Sequence, residues 1–326
     1  MWMRKDMRYW SNFAPDQARV ARQTMHSKYL IVIGGATATG KTAFAIRAAR
    51  HFQTEILSSD SRQFYKEMNI GTAKPTVEEL ASAPHHFISH LSIQQPYSVG
   101  DFERDALACL HNVFETRDVA VMTGGSGLYI KAVCEGLNTF PEVPEEIKLE
   151  VQDLFDQIGI TALQDELKQA DPNYLAEVDN NNPSRLIRAL AVCRASGQPF
   201  SSFRNRPLEP RNFQPVYIQL DWPRATLYQR IDQRVSLMME QGLEIETRSL
   251  YPYRHLQALQ TVGYQELFDY FDNKTNLDEA VALIRQHSRN YAKRQITWFR
   301  RDGFWQIFHP DQWEDFLNFV GSKAVI

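Results

Sequence analysis

The chain has little cysteine. Cys109, Cys134 and Cys193 are the only three, widely spaced and without a Cys-x-x-Cys pair. An odd, scattered set excludes a disulfide framework and a cysteine zinc site, and points to the reduced thiols of a cytoplasmic protein. Long apolar runs are also lacking: none approaches the roughly 20 residues of a membrane-spanning helix, so no membrane partner is expected. The first 28 residues hold no continuous apolar stretch and do not make a secretory signal; a flexible tail is expected over residues 1–28. An excess of one charge is absent too. The net charge is −3, so any surface for nucleic acid must be local. What is present is an ordinary globular composition, 43% hydrophobic and 23% charged over 326 residues, enough for one large domain or two smaller ones.

One stretch organises the rest: Gly35, Ala36, Thr37, Ala38, Thr39, Gly40, Lys41, Thr42. It follows an apolar run, Tyr29 to Gly34, and precedes a segment from Ala43 to Phe52 in which Phe44, Ile46, Ala49 and Phe52 fall near helical spacing. Strand, glycine loop and helix form the context that the pattern G-x-x-x-x-G-K-[ST] requires. Gly35 and Gly40 let the backbone turn until successive N–H groups face one concavity suited to anionic oxygens, and the new helix adds its partial positive charge. Lys41 supplies a point charge for phosphate. Thr42 offers a hydroxyl to a magnesium ion shared with that phosphate. The pattern does not say which phosphate compound is bound or what is done to it.

Further along, Thr54 to Ser59 reads as a strand ending at Asp60. Ligands of open α/β sheets gather beyond the carboxyl ends of strands, which would set Asp60 beside the glycine loop; helix N-capping is the alternative, and position alone leaves both open. Phe87 to Leu91 reads as another strand, with His85, His86 and His90 nearby. Adjacent histidines cannot both face one side of a strand, so loop and core roles are favoured over a metal cluster. Val119 to Thr123 is a buried-type strand running into a second glycine turn, Gly124 to Tyr129. Two glycine turns after two parallel strands point to one shared cleft.

From residue 141 to 207 the pattern becomes helical, with breaks at Asp171-Pro172 and Asn182-Pro183. Within it, Ser184 to Leu208 carries Arg185, Arg188, Arg194, Arg204 and Arg206 and no acidic residue, an arginine cluster suited to a phosphate backbone. Strand alternation returns at Val216 to Asp221, and a helix from Arg224 to Gln241 sets Arg230 and Arg234 on one face. The last long helix, Leu277 to Arg301, holds Arg285, Arg289, Lys293, Arg294, Arg300 and Arg301 with no carboxylate after Val281. Arg285, Arg289 and Lys293 form one stripe, and a stripe unbalanced by acids reads as a nucleic-acid contact. The expected organisation is a P-loop α/β core, mostly parallel sheet flanked by helices, over 29–140 and 208–326, with a helical insertion over 141–207.

The glycine loop Gly35–Thr42, the runs Asp60–Tyr65, Asn69–Pro75 and Gly124–Tyr129, and the stretch Tyr291–Arg300 occur in this order. Together they resemble the bacterial tRNA dimethylallyltransferases, the IPP transferase family, over about residues 30 to 305. The loop is shared with many kinases; the second, third and last segments are much more specific. The resemblance implies a P-loop core with an inserted helical domain, magnesium, and transfer of a dimethylallyl group from its diphosphate to N6 of the adenosine 3′ of the anticodon, in tRNAs reading codons that begin with U. It implies Asp60 as the catalytic carboxylate, with Lys41, Thr42 and Ser126 at the reacting end, and diphosphate held by Gly35 to Thr42 with Arg230 or Arg234. Contacts to the tRNA anticodon stem-loop would come from Asp60, Ser61, Arg62, Gln63, Lys148, Ser184, Arg185, Leu186, Ile187, Arg188, Arg289, Lys293, Arg294, Gln295, Thr297, Trp298 and Arg300. The chain departs from the family at three of these positions: Ser126 stands where many relatives have Thr, Lys148 where Arg is common, and Ser184 where Gln is frequent. The first keeps its hydroxyl; the second cannot make a bidentate contact.

The chemistry fits independently. Breaking an allylic carbon–oxygen bond needs a site that neutralises the leaving diphosphate, and the exocyclic amine, a poor nucleophile, needs a carboxylate to orient it and take its proton. A small-molecule kinase would use the same loop but leaves the acid-free helix unexplained. An adenylate isopentenyltransferase acting on free AMP needs no extended basic surface. A GTPase-like switch lacks an Asn-Lys-x-Asp motif. A monomer suffices for the chemistry.

Overall fold

The apolar run before the glycine loop forms β1 (Tyr29–Gly35), buried along its whole length. The computed structural model describes residues 28–204, 208–301 and 303–324. Residues 1–27 of the expected tail lie outside the described residues, as does Arg206. After β1 come α1 (Lys41–His51), β2 (Ile56–Ser58), α2 (Val77–Ser82), β3 (His85–His86), α3 (Val99–Thr116), β4 (Val119–Gly124) and α4 (Gly127–Glu135). Four helices follow, α5 (Glu145–Ile158), α6 (Ile160–Ala170), α7 (Pro172–Glu177) and α8 (Pro183–Ser196). The chain then returns through β5 (Gln214–Leu220), α9 (Arg224–Glu240), α10 (Leu243–Leu250), α11 (Gln265–Phe271), α12 (Leu277–Arg301), β6 (Gln306–Phe308) and α13 (Trp313–Lys323).

The strands form one parallel sheet in the order β3-β2-β4-β1-β5-β6. A central parallel strand is covered on both faces, which is why β1 reads as a continuous apolar run. Successive residues serve opposite sides. Ile31 and Ile33 face a core with Phe44 and Ile46 of α1 and Trp313, Phe316 and Val320 of α13. Leu30 and Val32 face Phe102, Ala106 and Leu110 of α3, with Phe299 and Trp305. Burying each such large side chain contributes about 1.5–3 kcal/mol, and this holds the strand ends in fixed register. Register places Gly34 beside Gly124 and Gly35 beside Leu220, so the turns after β4, β1 and β5 emerge along one edge.

The described residues divide into two units, one within Met1–Cys134 and Arg211–Ile326, the other Glu135–Pro210. The second has its own core of Val151, Leu163, Leu167, Leu186, Leu190 and Phe200. Buried Asp171 caps α7 through Tyr174 N–H at 3.0 Å and holds the Ser201 hydroxyl at 2.9 Å.

The strand expected over Phe87–Leu91 does not form. Pairing with β2 occurs at His85 and His86, and Phe87 (φ 65°) and Ser89 (φ 51°) enter the left-handed region, which a strand cannot accommodate. Their segment is instead tied to the loop after β2, by Ser89 N–H to Gln63 O and Leu91 N–H to Phe64 O, both 3.0 Å. His86 pairs with Glu55 at 2.6 Å, and His90 packs on Phe64 and Tyr97. Among the described residues no group of three or more His, Cys, Asp or Glu is arranged to hold a metal, and no helix is long and apolar enough to cross a membrane.

Candidate active site

The loop from Gly35 to Thr42 takes its shape from three residues with positive φ: Gly35 (143°), Ala38 (64°) and Gly40 (91°). A Cβ at Gly35 would lie 2.6 Å from Leu220 O, so only glycine lets β1 run this close to β5 at the turn. Ala38 in the left-handed region costs about 1–2 kcal/mol, and Arg230 Nε holds that peptide by donating to Ala38 O at 2.8 Å. Two further loop carbonyls are also engaged. Lys41 Nζ and Thr39 Oγ1 donate to Ala36 O at 2.7 and 2.9 Å, and Trp222 Nε1 donates to Thr39 O at 3.0 Å. The N–H groups from Ala38 to Thr42, by contrast, make no backbone hydrogen bond among the described residues. With the carbonyls of Ala36, Ala38 and Thr39 tied and the amides from Ala38 to Thr42 free, the loop presents a positive concavity to an anion.

Three cations line it. Arg234 Nη1 donates to Thr37 Oγ1 at 3.1 Å, Arg230 lies over the Trp222 ring at 4.7 Å, and Lys41 sits at the helix start. Burial lowers the Lys41 ammonium to about 8, an effect opposed by the negative charge of Asp60 and reinforced by Arg234. Burial likewise lowers Arg234, again opposed by Asp60. The carboxylate of residue 60 is thus electrostatically part of this site.

Asp60 does not cap a helix. Its Oδ1 accepts Arg62 N–H and its carbonyl accepts Gln63 N–H, both at 3.1 Å, so it opens a tight turn at the end of β2. Its Oδ2 makes no hydrogen bond with another described residue. Ser61 joins this turn to the second glycine turn: its N–H and its hydroxyl both lie 3.3 Å from Ser126 Oγ. The glycines of that second turn are demanded by space. A Cβ at Gly124 would meet Ser59 Oγ at 2.2 Å, one at Gly125 would meet Gln295 Nε2 at 2.1 Å, and one at Gly127 would meet the Trp298 ring at 2.3 Å. The structure therefore brings Gly35–Thr42, Asp60, Ser61, Ser126, Arg230 and Arg234 together.

Several other expected contacts are used inside the protein. Gln295 is buried; its Oε1 accepts Thr37 N–H at 2.9 Å and its Nε2 donates to Gly125 O at 3.0 Å. It bridges the two glycine turns from a buried position. Gln63 is buried as well, its Nε2 shared between Thr72 O and Ala73 O at 3.2 Å each. Leu186 lies in the core of the helical unit. Arg62 Nη1 holds the carbonyls of Gln257 and Ala258 at 3.1 and 3.0 Å. Lys148 is exposed and pairs with Glu145 at 2.9 Å, Ser184 and Arg185 are exposed, Ile187 is half-buried, and Arg188 lies over the Phe140 ring at 5.2 Å.

The basic segments are less free of acids than their sequences are. Arg289 pairs with Asp232 of α9 at 2.5 Å and Arg300 with Asp221 after β5 at 2.8 Å. Arg285 donates to Ser236 Oγ at 3.1 Å. In the helical unit Arg194 forms a two-pronged pair with Glu166, both distances 2.6 Å, and Arg204 meets Glu177 at 2.9 Å. The expectation of uncompensated clusters thus fails for Arg289, Arg300, Arg194 and Arg204, because the acids arrive from other elements. Lys293 and Arg294 are exposed without an ion pair among the described residues, Arg294 lying over the Tyr291 ring. Thr297 Oγ1 returns to Lys293 O at 3.0 Å, and Trp298 is half-buried against Gly127.

Trp222 and Glu246 do not stand out in the sequence, and Tyr291 is marked there only as the first residue of the Tyr291–Arg300 segment. Trp222 lies just beyond a strand end, and that position is the one signal that points to it. Tyr291 has its phenol raised to about 12, by burial first and the nearby Asp60 charge second.

The model of the IPP transferase family matches residues 63–302. A tRNA dimethylallyltransferase of Christiangramia forsetii is 51% identical over 91% of this chain and 99% of its own. One from Flavobacterium johnsoniae is 48% identical over 84% and 91%. Among solved structures, the full-length tRNA isopentenylpyrophosphate transferase of Bacillus halodurans is 34% identical with a TM-score of 0.69, over 91% of this chain and 97% of that one. A eukaryotic dimethylallyltransferase acting on tRNA, 23% identical, shares the fold with a TM-score of 0.76 over 92% and 78%.

Proposed function

This chain belongs to the IPP transferase family, and from that premise we propose that it is a tRNA dimethylallyltransferase: it moves a dimethylallyl group from dimethylallyl diphosphate to N6 of the adenosine 3′ of the anticodon, in tRNAs reading codons that begin with U. The observation that carries this reading is the meeting of an anion-binding loop and a carboxylate at one sheet edge, with the Asp60 charge felt by Lys41 and Arg234. The enzyme works in the cytoplasm, where its tRNA substrate is, and one copy suffices.

The diphosphate enters the concavity of Gly35–Thr42. Free N–H groups from Ala38 to Thr42 donate to its oxygens, Lys41 turns from Ala36 O toward it, and Arg230 and Arg234 supply further donors. These groups are in place before charge develops, so the leaving diphosphate is stabilised without reorganisation. Thr42 Oγ1, which makes no hydrogen bond with another described residue, is the protein group that would hold a magnesium ion. When bound, the ion neutralises charge on the diphosphate. The target base leaves its stack to reach the donor. Asp60 accepts an N6–H, directing the amine toward the allylic carbon and removing a proton as the carbon–nitrogen bond forms. Ser126 supports the Asp60 turn through Ser61.

RNA is held by splayed bases and by cations on the phosphate backbone. Lys293, Arg294, Arg185 and Arg188 are the best placed for this, being exposed and without ion pairs among the described residues. Ser61, Arg62, Ser184, Ile187, Thr297, Trp298, Lys148, Arg289 and Arg300 are the further contacts of this reading. Incubating the protein with labelled dimethylallyl diphosphate and undermodified tRNA, followed by nucleoside analysis, tests the reading. Label is expected in N6-dimethylallyladenosine. Inertness toward prenyl donors, with productive use of a nucleoside triphosphate on a small alcohol, would overturn it.

A further inference from the structure

We propose that Glu246, on α10, is a positioning residue for the Asp60 turn; this deepens the functional reading above and rests on it. The successive N–H groups of Asn69 and Ile70 point to Glu246 Oε2 at 2.9 and 2.8 Å, and that of Gly71 to Oε1 at 3.0 Å. The buried Tyr264 hydroxyl donates to the same Oε1 at 2.7 Å. Three consecutive amides converging on one anion form a nest of the kind the glycine loop offers to phosphate; here the protein's own carboxylate fills it. Gly71 is required for the fit, since a Cβ there would sit 2.6 Å from the Tyr264 ring.

The nest matters because of what the next residues hold. Gln63 Nε2 donates to the carbonyls of Thr72 and Ala73, and Gln63 N–H closes the Asp60 turn on Asp60 O. Lys74 Nζ adds a second tie, to Tyr65 O and to Asn69 Oδ1. Residues 69–74 are therefore a block between Glu246 and the turn that aims the reacting carboxylate. Both of its sides are joined by directional hydrogen bonds, so releasing one side lets the other shift. Such a residue touches no substrate. Its removal acts on the alignment of Asp60, which governs turnover, and leaves the diphosphate loop alone.

The test uses the full chain with Glu246→Gln, which keeps the size but puts an NH2 among converging N–H donors. Turnover at saturating substrates is expected to fall about 10–100-fold, the range a displaced reacting group produces. The Kd for dimethylallyl diphosphate is expected to stay within about threefold, because the glycine loop that binds it is not altered. Amide hydrogen exchange is expected to quicken at residues 69–73 and, with them, at 60–63. Tyr264→Phe, which deletes one hydrogen bond and keeps the ring, is expected to repeat this pattern more weakly, and it decides the question should Glu246→Gln not fold. Wild-type turnover per folded molecule would overturn the proposal, as would faster exchange confined to residues 69–73. Failure of the wild-type protein to prenylate tRNA would strike the functional reading instead, and exchange at 60–63 would then decide whether Glu246 holds the turn.

Discussion

Thr37 N–H donates to Gln295 Oε1 across 2.9 Å, joining the glycine loop after β1 to α12. The other end of that amide holds Gly125 O at 3.0 Å. One side chain thus sets the separation of two glycine turns, and the absence of a Cβ at Gly125 makes room for it.

Replacing Gln295 by Leu keeps the volume and leaves Thr37 N–H and Gly125 O unpaired. Each unpaired buried group costs about 1–3 kcal/mol, so the thermal midpoint is expected to fall. Donor affinity is expected to weaken as the loop relaxes, measured by titration with dimethylallyl diphosphate. Unchanged stability and affinity would show that the bridge is dispensable.

Asp60→Asn keeps an acceptor for Arg62 N–H and removes the charge. Prenyl transfer is expected to fall about 10²–10⁴-fold, with donor binding at pH 7 largely retained. An equal loss of both would identify Asp60 as a structural residue.

Lys41 gives the site a pH dependence. Its ammonium is lowered to about 8 by burial, against an ordinary 10.5. The folded protein therefore releases this proton before the unfolded chain does. Its contribution to stability rises with pH between about 8 and 10.5, and the burial cost is fully present below 8. Diphosphate binding runs the other way, because it needs the charge. The Kd for the donor is expected to rise above pH 8, by at most about tenfold per unit. Lys41→Arg stays charged and is expected to flatten this profile; a Kd that stays constant well above pH 8 in the wild type would remove the lysine from the binding account.

On α12 the cations should differ in their salt dependence. Lys293→Ala with Arg294→Ala is expected to raise KM for tRNA and to reduce the slope of log K against log salt by about 0.7–0.9 for each phosphate that is no longer neutralised. Arg289→Ala is expected to change the slope little, since Asp232 already neutralises it at 2.5 Å. A half-exposed pair of this kind is worth only about 0.2–1 kcal/mol. An equal slope change for Arg289→Ala would therefore mean that RNA displaces Asp232.

What could be read along the chain was whatever depends on near neighbours. The apolar run Tyr29–Gly34, the glycines at 35 and 40, and the helical periodicity of the 25 residues Leu277–Arg301 announce a strand, a loop and a helix, because backbone preferences and side-chain spacing act over a few residues. The order of five short segments carried the family. Whether Asp60 capped a helix or stood in the site was undecidable locally, because β2 pairs with β4, a strand distant in the chain. The charge state of α12 was hidden for the same reason: its acids, Asp221 and Asp232, come from the end of β5 and from α9. Gln295 and Gln63, which the resemblance makes tRNA contacts, are buried and brace backbone turns, and nothing in their sequence position announced that. Burial and pairing are properties of the folded neighbourhood, and only packing decided which polar side chains were spent holding the site and which were left to face a substrate.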